Sequence, residues 1–179
     1  MDYDGVVYDL DGTLVRLNVD WEQATVDTAT KLRVRGIDVD GQSLWDLLAR
    51  GQDEGFETLV EDVLAEHERA GARTADRLAV ADDLPLSVPT GVCSLNCESA
   101  CRIALERHEL DAHVDAVVGR DTVSTHKPSP EPLLDTIDRL AVQPDRALFI
   151  GDSERDAITA ERAGVEFRYV DDHLEADRR

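Results

Sequence analysis

Lysine is nearly missing from this chain: Lys31 and Lys127 are the only two, and arginine supplies the rest of its 19 basic residues. Against these stand 39 acidic residues, for a formal net charge of −20. A surface of that sign repels phosphate backbones and anionic headgroups, which argues against nucleic acid and membrane partners. Self-repulsion on this scale destabilises a compact state in dilute buffer. At ~1 M salt the Debye length shrinks to roughly 3 Å and most of the repulsion is screened. A chain this rich in Asp and poor in Lys is expected from the high-salt cytoplasm of a halophile, its acidity a solvation device silent about substrate. Long apolar runs are also missing. None approaches membrane-spanning length and no charged-then-apolar leader precedes the first apolar run, so a soluble, cytoplasmic protein is expected. Cysteine is limited to Cys93, Cys97 and Cys101. An odd number in an intracellular protein argues against a disulfide framework. Their spacing is helical and no fourth ligand sits at a metal-binding interval, so they read as small buried core residues.

What is present fits one ordinary domain with a modest insertion: 179 residues, 42% of them hydrophobic. Short apolar runs bounded by turn residues predict strands at 5–9, 91–95, 116–118, 147–150 and 166–170. Helical patterns at 98–108, 130–140 and 154–163 alternate with the later strands. Strand, helix, strand repeated implies right-handed crossovers and an α/β fold: a Rossmann-like, doubly wound parallel sheet of about five strands. Residues 16–82 break the rhythm. Amphipathic helices are predicted at 21–35, 43–50 and 54–70, with a short fourth at 73–79 and no strand among them. The simplest organisation is a helical cap inserted after strand one, residues 16–82, on a discontinuous core of 1–15 plus 83–179. "DDLPLSVP" is the return linker.

In open parallel sheets ligands bind beyond the carboxyl ends of the strands. "VVYDLDGTLV" aims Asp9 and Asp11 past the end of strand one and turns on Gly12. Two neighbouring carboxylates repel and resist burial unless something cationic joins them. Strand two ends in "VCSLN", offering Ser94 and Asn96; "HKPSPEP" brings Lys127; "FIGDSERD" brings Asp152 and Asp156. Four carboxylates, a hydroxyl, an amide and an ammonium are thus expected on one rim. Gly12 frees the backbone to turn, and Thr13 is expected to fix that turn through its hydroxyl. Ser153 and Asp156 have capping-box spacing, so Asp156 also reads as the acid of a helix start. Arg16, Arg50 and Arg120 are weaker candidates for substrate contact, and His126 adjoins Lys127 at the pocket.

The set resembles the haloacid dehalogenase-like (HAD) hydrolase superfamily. "DLDGTLV" is similar to its DxDGT motif, Ser94 to its strand-ending hydroxyl, Lys127-Pro128 to its lysine motif and "GDSERD" to its GDxxxD motif, in the family's order. The resemblance implies a phosphatase with a C1-type cap, akin to phosphoglycolate phosphatases and acting on a small phosphorylated metabolite. It implies Asp9 as nucleophile and Asp11 as acid and base. Mg²⁺ would be held by Asp9, the Asp11 carbonyl, Asp152 and Asp156, the last directly or else through water or by holding Lys127. Phosphate would meet Ser94, Lys127, Gly12, Thr13 and Asn96. A phosphomutase of the same superfamily is the neighbouring possibility. A phosphoacceptor switch resembling a receiver domain is disfavoured, because acids follow the lysine here and a helical insertion interrupts the fold.

Overall fold

The computed structural model describes residues 3–177. In chain order the strands are β1 (Gly5–Tyr8), β2 (Val15–Arg16), β3 (Asp76–Arg77), β4 (Thr90–Cys93), β5 (Ala116–Val118), β6 (Ala147–Gly151) and β7 (Glu166–Tyr169). The helices are α1 (Trp21–Arg33), α2 (Leu44–Asp53), α3 (Glu57–Ala72), α4 (Glu98–Arg107), α5 (Glu131–Arg139), α6 (Glu154–Ala163) and α7 (Val170–Asp177). Five strands form one parallel sheet ordered β5-β4-β1-β6-β7, with Val7 opposite Gly91 on one side and Phe149 on the other. The fold is α/β, as the alternation of patterns predicts. No helix among the described residues is long and apolar enough to cross a membrane.

The pleat sorts the core into two layers. Val6, Tyr8, Val92, Val117, Leu148 and Ile150 point to the side covered by α4, where Ala100, Cys101, Ala104 and Leu105 meet them. Their neighbours Val7, Cys93, Ala116 and Phe149 point the other way, onto Leu133 and Ile137 of α5 and Ala160 of α6. Strands covered on both faces cannot alternate apolar with polar, which is why they read as short continuous apolar runs. Burying a side chain such as Phe149, with no exposed surface, stabilises the fold by roughly 1.5–3 kcal/mol. The three cysteines are free and buried, the core role expected of them.

Helices α1–α3 build a separate apolar cluster around Ala24, Leu32, Leu47, Val60 and Leu64. Two of the three have a side-chain cap: Asp20 accepts from the Gln23 N–H at 2.9 Å, and Ser43 with Asp46 completes a capping box ahead of α2. The short helix expected at 73–79 does not form. Asp76–Arg77 instead pairs antiparallel with Val15–Arg16. Arg107 of α4 takes the carbonyls of Arg73 and Ala75 at 2.8 and 2.9 Å, acceptors a helix there would need for itself. A two-residue strand held by tertiary partners has no periodicity to read. Helix α7 was likewise unanticipated; the chain enters it directly from β7 at Val170. A 3₁₀ turn at Ala79–Asp83 runs into the first two residues of "DDLPLSVP".

Candidate active site

Three of the candidate residues stand one place beyond a strand. Asp9 follows β1 and donates its N–H to the Ile150 carbonyl at 2.8 Å; Ser94 follows β4 and donates its N–H to Val118 at 2.9 Å; Asp152 follows β6. The sheet's own hydrogen bonds therefore carry these side chains to one rim. Beyond Asp9 the chain folds back on the Leu10 carbonyl, which accepts from the N–H groups of Thr13, Leu14 and Val15. Asp11 is pinned in that turn by the Leu17 N–H, 2.8 Å from its Oδ1. Gly12 has φ +86°, and a Cβ there would sit 2.0 Å from Asp152 Oδ2, so two motifs distant in sequence touch only because this position has no side chain.

The expectation for Thr13 is corrected. Its hydroxyl is buried and has no hydrogen-bond partner among the described residues. The turn is made by the backbone instead, and Thr13 lies within the core rather than on the cavity wall.

Lys127 is the centre of the arrangement. Its buried Nζ donates to Asp9 Oδ1 at 2.9 Å, to the Cys93 carbonyl at 3.1 Å and to Asp156 Oδ1 at 2.6 Å. An ammonium has three N–H groups, so contact with a phosphate would require one of these bonds to be exchanged. Asp156 is fully buried, and its other oxygen accepts from the Ser153 N–H and hydroxyl in a completed capping box. Both oxygens are thus engaged, and holding Lys127 is the role its geometry shows.

Burial disfavours every charge here. It pushes the Asp9 carboxyl up to about 7, opposed by the Lys127 ammonium and reinforced by Asp156. Asp11 and Asp152 are also raised, burial being the leading cause for both. Burial works against the Lys127 charge too, but Asp9 and Asp156 outweigh it and hold the amine well above the ordinary lysine range. Three acids facing one ammonium leave an excess of negative charge. Oxygens of Asp9, Asp152 and Asp156 lie within 4.8 Å of one another. An all-oxygen donor set of this kind fits Mg²⁺.

A cavity of about 760 Å³ opens above these groups, lined by Asp9, Asp11, Ser94, Asn96, Asp152 and, opposite them, side chains of α1–α3. The Ser94 hydroxyl donates to Asn96 Oδ1 at 3.1 Å and accepts from the Asn96 N–H at 3.2 Å, so the residue between them does not separate the pair. Arg16 and Arg50 do not line the cavity, and His126 lines a smaller one beside it. Arg120 does line it, but as a tied residue. Its guanidinium grips Glu68 through two bonds, of 2.5 and 3.1 Å, and reaches Glu61 at 2.9 Å. Glu68, 1% exposed, also accepts from the Cys97 N–H at 2.9 Å. Neither glutamate was anticipated. Their seven-residue spacing places both on one face of α3, a readable signal, but their partner lies on a distant loop.

Fold and rim together define an α/β protein with an acidic centre and one buried lysine at the strand ends. Residues 6–170 match the profile of the haloacid dehalogenase-like hydrolases, and the chain belongs to that family. It is 44% identical over 75 residues to the phosphoglycolate phosphatase of Rhodospirillum rubrum, a stretch covering 42% of this chain and 31% of that enzyme. The chain thus spans about a third of the first curated relatives it matches, 31% and 35% of their lengths. A longer alignment joins it to pyrophosphatase PpaX of Bacillus cereus, at 26% identity over 89% of this chain and 79% of that one. Among solved structures, a HAD-superfamily hydrolase of subfamily IA from Geobacter sulfurreducens superposes with a TM-score of 0.60 at 26% identity, covering 92% of this chain and 88% of that one. CbbY from Rhodobacter sphaeroides, solved in complex with phosphate, gives 0.68 at 17% identity over 93% and 85% of the two chains, a likeness of fold.

Proposed function

We propose that this chain is a cytoplasmic, Mg²⁺-dependent phosphatase of a halophile that hydrolyses a small phosphomonoester through an aspartyl phosphate on Asp9. The observation that carries the proposal is the Lys127 ammonium bonded to Asp9 at the floor of a cavity that Asp11 also lines. Asp9 attacks phosphorus while the alkoxide leaves, a recognised carboxylate route. Asp11 gives that oxygen a proton, then takes one from the water that releases phosphate and restores Asp9. Its raised pKa suits the acid half of the task, since more of it stays protonated at a given pH. Ser94 and Asn96 meet the phosphoryl oxygens, and Lys127 favours the ionised form of the nucleophile and aims it. Asp9, Asp152 and the Asp11 carbonyl would hold Mg²⁺, which when bound offsets the charge shared by carboxylate and phosphate. Residues 16–82 act as the C1-type cap over a core of 1–15 plus 83–179, with α1–α3 forming the cavity's outer wall.

The test is hydrolysis of p-nitrophenyl phosphate with Mg²⁺ in molar KCl. Turnover is expected from the wild type and none from Asp9→Asn, and Asp11→Asn should be slower by about 10²–10⁴. Undiminished turnover in Asp9→Asn would refute the mechanism.

A further inference from the structure

The cavity is asymmetric. Its floor carries the acids and is tied to the one buried lysine, whereas its outer wall is made by Trp21, Thr25, Leu44, Trp45, Leu48 and Leu64. None of these six side chains is charged. The basic side chains of the same helices, Lys31, Arg33, Arg50, His67 and Arg69, all lie outside the cavity, with Arg33 paired to Asp40 and Arg50 to Glu54. Of the two arginines that do line it, Arg120 is matched by Glu61 and Glu68. Arg155 lays its guanidinium over the Trp45 ring, 4.8 Å from its centre. The floor meanwhile presents Asp9, Asp11 and Asp152, and Glu154 stands beside them. An anionic leaving group would find one cation at the far end, Arg155, which is stacked on Trp45 and has Glu154 next to it in the chain.

Both tryptophans of the chain stand in this wall, and they remain 42% and 49% exposed. Large apolar surfaces left open inside a concavity are the usual lining of a site for an organic ligand. We propose, on the basis of the phosphatase reading above, that the site prefers phosphomonoesters whose leaving group is uncharged and carries an apolar ring or chain. Trp21 and Trp45 are the residues that set this preference. The class differs from phosphoglycolate and pyrophosphate, after which relatives of this chain are named.

The experiment compares kcat/KM for benzyl phosphate, ethyl phosphate and 2-phosphoglycolate, using the full chain with Mg²⁺ in molar KCl. Benzyl and ethyl phosphate both release an alkoxide, so their ratio reads the pocket rather than leaving-group chemistry. Benzyl phosphate should lead ethyl phosphate by roughly 10- to 100-fold, the range a hydrophobic pocket can deliver. 2-Phosphoglycolate should trail both. Trp45→Ala and Trp21→Ala should each lower the benzyl-to-ethyl ratio severalfold, and Trp45→Phe should retain most of it. Because the readout is a ratio within one protein, partial unfolding of a variant cancels. Equal rates for benzyl and ethyl phosphate overturn the inference. So does a lead for 2-phosphoglycolate, and its loss in Arg155→Ala would assign Arg155 as a carboxylate reader. Either result leaves the phosphatase reading standing; absence of turnover with all three esters removes both.

Discussion

Replacing Arg120 with methionine strands Glu68, and the size of the penalty can be set from the structure. Glu68 is 1% exposed, accepts two bonds from Arg120 and one from the Cys97 N–H, and ties α3 to the loop ahead of α4. Removing one partner of a buried pair leaves a charge with neither water nor counter-ion, which costs about 3–5 kcal/mol. For a chain of this length each kcal/mol moves Tm by about 2–4 °C, so the variant should melt roughly 6–20 °C below wild type. Salt should not rescue it, since ions screen a buried pair far less than exposed charges. Arg33→Ala is the contrast. Its pair with Asp40 is exposed on both sides, at 53% and 85%, and its loss should leave Tm within error. The double variant Arg120→Met with Glu68→Leu removes the stranded charge and should recover most of the loss. Thermal unfolding by circular dichroism in 2 M KCl reads all three. A single variant within 1 kcal/mol of wild type, or a double variant as unstable as the single, would refute the reasoning.

Mg²⁺ should stabilise the protein against heat, because it answers the excess of carboxylate around Lys127. At 100 times its Kd the gain is about 2.7 kcal/mol, or roughly 5–11 °C; EDTA should reverse it and Asp152→Asn should abolish it. Gly12→Ala places a methyl 2.0 Å from Asp152 Oδ2 at a backbone angle of +86°. Turnover should fall by at least tenfold and the Mg²⁺ shift should shrink, with the fold retained by circular dichroism. Cutting KCl from 2 M to 0.1 M should lower Tm by several degrees, as 39 acids lose their screening against 19 bases. A Tm that rises on dilution would contradict that account.

The parts of this molecule that were legible from sequence share one property: their structure is decided by near neighbours. Apolar runs at β1, β4 and β6 give the strands, and Asp9, Ser94 and Asp152 stand one residue past them, so reading strand ends located the rim. Ser153 and Asp156 revealed a helix start because a capping box spans four residues. What was not legible depends on distant partners. Asp76–Arg77 is extended because Val15–Arg16 and Arg107 hold it so. Thr13 misled for the opposite reason: a hydroxyl at a turn usually bonds locally, but the Leu10 carbonyl had already taken the available N–H groups. Arg120 reads from sequence as a weak candidate for substrate contact, and only the packed structure reveals the two glutamates that engage it.

The same contrast explains how one chain tolerates both a net charge of −20 and a charged interior. Exposed acids lie in water and within reach of salt, so their repulsion is a property of the solvent and can be screened away. The acids around Lys127 are shielded from both, and must be balanced atom by atom: Asp156 by the ammonium and Ser153, Asp9 by the same ammonium. A lysine is suited to that place, because its compact charge meets three acceptors at once where the flat guanidinium of arginine would need a wider opening. One of the chain's two lysines is thus found where no arginine replaces it, at the point on which the acidic motifs converge.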